Sequence, residues 1–192
     1  MSKSATLLLL VIIFTAGPAC YDSAATDTAT PPDQRSGRVG LQSKKEFFDL
    51  AGFVDQEIET LNLAKRTITK KVTIDGKSEE KKLDATDFTN DLDLFRKADI
   101  NKPAWIEKYR IETVGNDTSY IATDSSLRTR HLQVLRNENN EVQRIEIKRR
   151  SGNVLSSGSQ ELSYHKDSGY RIYSRQIGDL VGDAEVSVEV KF

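Results

Sequence analysis

From Tyr109 to Phe192 apolar side chains recur at every second position, the spacing of strands with one dry face and one wet face. Residues 184–192 show it most plainly. Val186, Val188, Val190 and Phe192 fall on one side, and Glu185, Ser187, Glu189 and Lys191 on the other. The same spacing predicts strands over 108–115, 119–124, 128–136, 141–149, 153–164 and 169–177. Turn residues separate them: Gly115-Asn116-Asp117, Asn137 to Asn140, Ser151-Gly152-Asn153, Asp167-Ser168-Gly169 and Gly182-Asp183. Connections this short between sequential strands imply an antiparallel meander. Upstream, 65–74 and 78–83 read as a hairpin about Asp75-Gly76, a type I′ turn pair. Its lysines, Lys70-Lys71 and Lys81-Lys82, suit a solvated edge that resists pairing with another chain.

The period changes before and after that hairpin. Phe47, Ala51, Val54, Ile58 and Leu61 are spaced by four and three, one stripe of a helix of about 18 residues. The capping box Ser43-x-x-Glu46 marks its expected start. Asp84 to Ala98 reads as a second helix, capped by Asp84 or Thr86, with Phe88, Leu92 and Phe95 as its stripe. Asn101-Lys102-Pro103 then opens a short helical turn carrying Trp105 and Ile106. The expected fold class is α+β: a large curved antiparallel sheet of about nine strands, coiled toward a half-barrel, with two or three helices packed on it.

The first twenty residues carry an address. Lys3 precedes Leu7 to Phe14, eight apolar residues in a row. A bilayer span needs about 20, so the run has the length of a signal-peptide core. Small residues follow, Gly17-Pro18-Ala19, and then Cys20, the only cysteine. This segment resembles the signal of bacterial lipoproteins, which ends in a Leu-like residue, two small residues and a Cys. Gly17 stands where Leu is usual. The resemblance implies cleavage before Cys20 and a lipid on its sulfur; ordinary secretion with cleavage after Ala19 is the alternative. Tyr21, not Asp, follows the Cys, which by the same family's sorting rule implies the outer membrane. Residues 20–42 are poor in large apolar side chains and contain Pro31-Pro32, a composition for a flexible tether with a span of roughly 25 Å. The expected organisation is therefore a signal peptide over 1–19, a lipid-anchored tether over 20–42 and one globular domain over 43–192.

Composition narrows the functional classes. The 192 residues hold 28 Lys+Arg against 29 Asp+Glu, and a net charge of −1 argues against a general nucleic-acid or acidic-membrane binder. One Cys and two His leave no thiolate cluster and little for a histidine metal site. The acids Asp87, Asp91 and Asp93 do not have the spacing of a calcium loop. No His-Glu-x-x-His, Gly-x-Ser-x-Gly, Cys-x-x-Cys or phosphate-binding glycine loop occurs. No catalytic residue, metal or cofactor is assigned.

Strands 128–136 and 141–149 are locally basic. Strict alternation puts Arg128, Arg130 and Arg136 on one face with Leu132 and Val134, and Arg149 on one face with Ile145 and Ile147. Mixed apolar and Arg positions suit a groove for an anionic amphiphile such as a lipid, and Arg128, Arg130 and Arg149 are its candidate residues. The layout is similar to the half-barrels of envelope lipoprotein carriers. It leaves two arrangements open. If the first helix fills the curve of the sheet, the apolar face is core; if it packs to one side, a trough remains. The function expected is a non-enzymatic, lipid-anchored envelope protein that binds a partner protein or a hydrophobic ligand on its sheet. The alternative is an envelope hydrolase using His131 or His165 with a carboxylate.

Overall fold

The computed structural model describes residues 47–84, 87–152, 156–178 and 182–192. The signal, Cys20, the tether, Ser43, Glu46 and Thr86 lie outside the described residues. The first helix, α1, runs Leu50–Ala64, followed by the hairpin β1 (Ile68–Ile74) and β2 (Lys77–Leu83). Helix α2 (Thr89–Arg96) and a 3-10 helix (Pro103–Lys108) come next. Seven strands complete the chain: β3 (Tyr109–Val114), β4 (Asp117–Ala122), β5 (Thr129–Arg136), β6 (Val142–Gly152), β7 (Ser156–His165), β8 (Gly169–Gly178) and β9 (Ala184–Lys191).

The fold is α+β, built on one open, curved, antiparallel sheet of nine strands in the order β2-β1-β9-β8-β7-β6-β5-β4-β3. The meander runs from β3 to β9 as its turn residues require. The hairpin then joins at the far end, β1 against β9, with Val72 opposite Val188. Asp75 and Gly76 both have positive φ, 47° and 80°, as the hairpin turn demands. Because β2 and β3 are the two edges, the chain between Leu83 and Tyr109 crosses the sheet from one edge to the other. Helix α2 lies on that crossing.

Register sorts one face of the sheet into rows. Val134, Ile145, Tyr164, Tyr170 and Val190 are successive cross-strand partners, and all are buried. Leu132, Ile147, Leu162, Ile172 and Val188 form the next row. These two rows meet the helices. Leu50, Val54 and Leu61 of α1 and Leu92 and Phe95 of α2 are buried in the same cluster. The space between α1, α2 and Ile145 and Tyr164 is about 10 Å³, no more than one water could occupy. The apolar face under the helices is core.

Helix α1 starts later than its capping box predicts. Asp49 is the cap, accepting from the Gly52 N–H at 2.9 Å. Phe47 and Phe48 are held out of the helix by side chains from elsewhere. The Phe47 N–H donates to Asn101 Oδ1 and the Phe48 N–H to the Tyr120 hydroxyl, both at 3.1 Å. Asn101 Nδ2 in turn donates to the Phe48 carbonyl at 2.8 Å. The Phe47 ring packs edge-on against Tyr109 and Tyr120. Phe47 thus reaches the core as expected, but from outside the helix.

Candidate anion-binding site

A third cross-strand row lies beyond the two core rows on the same face: Thr129, Arg149, Gln160, Ser174, Val186 and Ile74. The helical cover thins here, and Ile74 is 52% exposed. The middle of the row is polar and linked. Arg149 Nη1 donates to Gln160 Oε1 at 3.1 Å, and Gln160 Nε2 donates to Ser174 Oγ at 3.3 Å. Thr129 is buried, its hydroxyl donating to the Ala98 carbonyl at 3.0 Å, and its own carbonyl accepts from the Tyr109 hydroxyl at 2.7 Å. Burial pushes the Tyr109 phenol up to about 12, which keeps it a donor.

Arg149 is the unusual member. It shares a face with Ile145 and Ile147, as alternation along β6 requires, so its side chain starts at the edge of the core. Its Nε is buried and has no hydrogen-bond partner. Burial, and then the positive charge of Arg128, hold its guanidinium below the ordinary pKa. Burying a cation without an anion is costly, and a second cation beside it adds to the cost.

Arg149 and Arg128 line one surface depression of about 480 Å³, together with Lys97, Lys102, Lys108 and Trp105. Five described lining residues are cationic and none is acidic. The cations differ in their engagement. Lys97, at the C-cap of α2, pairs with Asp93 at 2.5 Å. Lys108 pairs with Asp124 at 2.7 Å. That bond, with two more from Ser126, holds the Asp124 carboxyl well below the usual range. Lys102 lies over the Trp105 ring, 4.2 Å from its centroid. The Arg128 side chain is exposed and pairs with no carboxylate among the described residues. Three cations, Lys102, Arg128 and Arg149, therefore line the depression without a counter-charge among the described residues.

Local structure explains the convergence. A bulge interrupts β5 between Thr129 and His131, where Thr129 pairs with Arg149 and His131 with Lys148. The extra residue is Arg130, so strict alternation fails there. Arg130 Nη1 donates to the Asp124 carbonyl at 2.5 Å, and Arg130 is not among the lining residues. Arg136 lies over the Phe48 ring at 5.5 Å and donates to Asn116 O and Thr118 Oγ1. Of the three arginines expected to act together, the fold brings Arg128 and Arg149 to one place and sends Arg130 to another. The lysines and Trp105 were missed. The signal was Lys102-x-x-Trp105-x-x-Lys108: at three residues per turn, a 3-10 helix aligns i and i+3 side chains on one side.

The opposite face of the sheet carries a second depression, of about 420 Å³, across β6 to β9. Its charges nearly balance, with Arg144, Lys148, Arg171 and Lys191 against Glu146, Glu161 and Glu189. Arg144 Nε is also buried without a partner, but the same guanidinium pairs with Glu146. Both histidines belong to this face, His131 opposite Lys148 and His165 opposite Arg144, with Glu146 between those two positions on β6. Burial first and the adjacent cation second lower each imidazole pKa. Among the described residues neither imidazole side chain hydrogen-bonds to a carboxylate or hydroxyl, so no nucleophile–base–orienter set is assembled. No group of three or more His, Cys, Asp or Glu placed to hold a metal occurs among the described residues. No helix among them is long and apolar enough to cross a membrane.

Compared with protein-family models, curated proteins and solved structures, the chain matches none. Its function is argued from the site alone.

Proposed function

We propose that the chain is a lipid-anchored cell-envelope protein, attached through Cys20, whose domain works by binding rather than by catalysis. The ligand is anionic, and it sits in the depression lined by Arg128 and Arg149. One observation carries this reading: a half-buried guanidinium, Arg149, and an exposed one, Arg128, line one depression in which no described residue is acidic. An anion placed there would supply the missing charge and accept from the guanidinium N–H groups open to the depression. The filled space beneath α1 and α2 favours a surface ligand over an amphiphile enclosed in the sheet. The anchor rests on the resemblance of residues 1–20 to a lipoprotein signal and on Cys20 being the only cysteine. By the sorting rule that Tyr21 satisfies, the membrane is the outer one.

Growth with radiolabelled fatty acid tests the anchor. Wild-type protein should incorporate label and partition into detergent, and Cys20→Ser should do neither. Equal labelling of the variant would reject the anchor. Anion titration watched at the Arg149 side-chain N–H signals tests the binding half of the reading.

A further inference from the structure

We infer that the group held between Arg128 and Arg149 is a phosphate monoester. The inference rests on the depression being the binding site, and it names the ligand chemistry of that site.

Count first what the site offers. Arg149 has one N–H engaged by a neutral acceptor, Gln160 Oε1, and its Nε–H is buried away from the depression, which leaves the remaining Nη–H groups to a ligand. Among the described residues the Arg128 guanidinium has no hydrogen-bond or ion-pair partner. Lys102 is engaged only by the Trp105 ring, an interaction an anion can share or displace. Lys97 and Lys108 are held at the rim by Asp93 and Asp124 and add little net charge. The demand is therefore for an acceptor that can meet one whole guanidinium, part of a second and one ammonium, and carry more than one negative charge.

A carboxylate does not meet that demand. Its two oxygens lie in one plane, and its single charge leaves the second arginine uncompensated. A phosphate monoester presents three terminal oxygens in a tetrahedral array. It carries between one and a half and two negative charges near neutral pH, with a second pKa of about 6. Two arginines about one tetrahedral oxyanion, with a lysine as a third donor, is an arrangement suited to that geometry. Among the described residues no carboxylate lines the depression.

Such a group can come from a soluble phosphorylated metabolite or sugar, or from the headgroup of a membrane lipid. The second source has a geometric reason to be tested. The described chain enters the domain at Phe47, which is hydrogen-bonded to Asn101, and Asn101 is the residue before Lys102. Phe47, the first described residue, is thus tied to the residue next to the Lys102 side of the depression.

Trp105 is the only tryptophan, so its fluorescence reports on this site. The experiment titrates full-length lipidated protein, in micelles of uncharged detergent, with glycerol phosphate and separately with citrate. A third arm places the protein in phosphatidylcholine vesicles with or without phosphatidic acid. The expected result is a saturable change in Trp105 emission with glycerol phosphate, with affinity rising as pH passes upward through about 6. Arg128→Gln and Arg149→Gln should each weaken it by roughly tenfold or more, the loss of a charge-assisted hydrogen bond. Arg171→Gln, on the opposite face, should titrate as wild type. Arg128 is exposed, so its variant tests the site without risk to the core. A response to phosphatidic acid vesicles as well would support the inference and name a lipid headgroup as the source; a response to glycerol phosphate alone would support it and name a soluble one. Citrate binding as tightly as glycerol phosphate would overturn the phosphate inference while leaving an anion site. Silence in every arm would overturn both.

Discussion

The Tyr170 hydroxyl donates to Asp91 Oδ2 at 2.5 Å, joining the middle of the sheet to α2. Lys70 of β1 reaches the same oxygen at 2.7 Å. One carboxylate thus ties α2 to β8 and, through the lysine, to the hairpin that joins the sheet beyond β9. Burial, and then the bond to Asp91, raise the Tyr170 phenol above its ordinary pKa, so the tyrosine stays a donor.

Asp91→Ala leaves both the Tyr170 hydroxyl and the Lys70 ammonium without their acceptor. The expected loss is about 2–3 kcal/mol in urea unfolding with an unchanged slope, against about 1–2 for Tyr170→Phe, which leaves Lys70 paired. Equal losses would mean that the lysine contributes nothing.

Gly169 opens β8 at φ 128°, and a Cβ there would stand 1.8 Å from the Val190 carbonyl oxygen. Gly169→Ala must therefore displace backbone, not merely a side chain, and should cost at least about 2–3 kcal/mol. Gly76, in the β1–β2 turn at φ 80°, has nothing within 4 Å of such a Cβ. Gly76→Ala should cost only the left-handed strain, about 1–2 kcal/mol. Thermal denaturation of the two variants side by side checks the order.

Turns and strands are the part of this fold most legible in the sequence. Alternation and turn residues locate the seven strands of the meander within a few positions, and Asp75-Gly76 locates the hairpin. What sequence pattern does not carry is partner choice between distant segments. The pairing of β1 with β9 depends on Val72 and Ile74 meeting Val188 and Val186, contacts more than a hundred positions apart. The start of α1 was misplaced for a related reason, since Asn101 and Tyr120 claim backbone N–H groups that a local reading gives to the helix. At the candidate site, the basic strands pointed to Arg128 and Arg149. The bulge that removes Arg130 leaves no mark in the alternation, and the lysines come from α2, the crossing and the 3-10 helix.

The two histidines set a pH dependence whose sign is fixed. Both imidazoles titrate below the ordinary 6.5 in the folded chain, so the unfolded chain binds protons first as pH falls. The groups that act on them are Lys148, Glu146 and Glu112 for His131, and Arg144 and Glu146 for His165. Their contribution to stability is complete above about pH 6.5 and is lost as pH falls through the folded values. His131→Gln with His165→Gln should flatten the stability profile below about pH 6.5. A profile as steep as that of wild type would place the titrating groups elsewhere.

Arg149 should be a stability cost that binding recovers. Arg149→Met keeps the apolar stem and removes the poorly paired charge. In the absence of anions it should raise stability by about 0.5–1 kcal/mol, a modest gain because the group is only half buried and partly screened. Added glycerol phosphate should raise the melting temperature of wild type and leave that of the variant unchanged. A variant less stable than wild type in anion-free buffer would show that Arg149 is held by the fold for itself.

The most direct test of the account is the side-chain NMR signal of the arginine Nε–H groups during addition of a phosphate monoester. Two of them, at Arg149 and Arg144, are buried without a partner, one on each face of the sheet. The account predicts that Arg149 shifts, together with the Trp105 indole, while Arg144 stays in place. Movement of Arg144 with Arg149 unchanged would put the ligand in the charge-balanced groove of the opposite face and contradict the account.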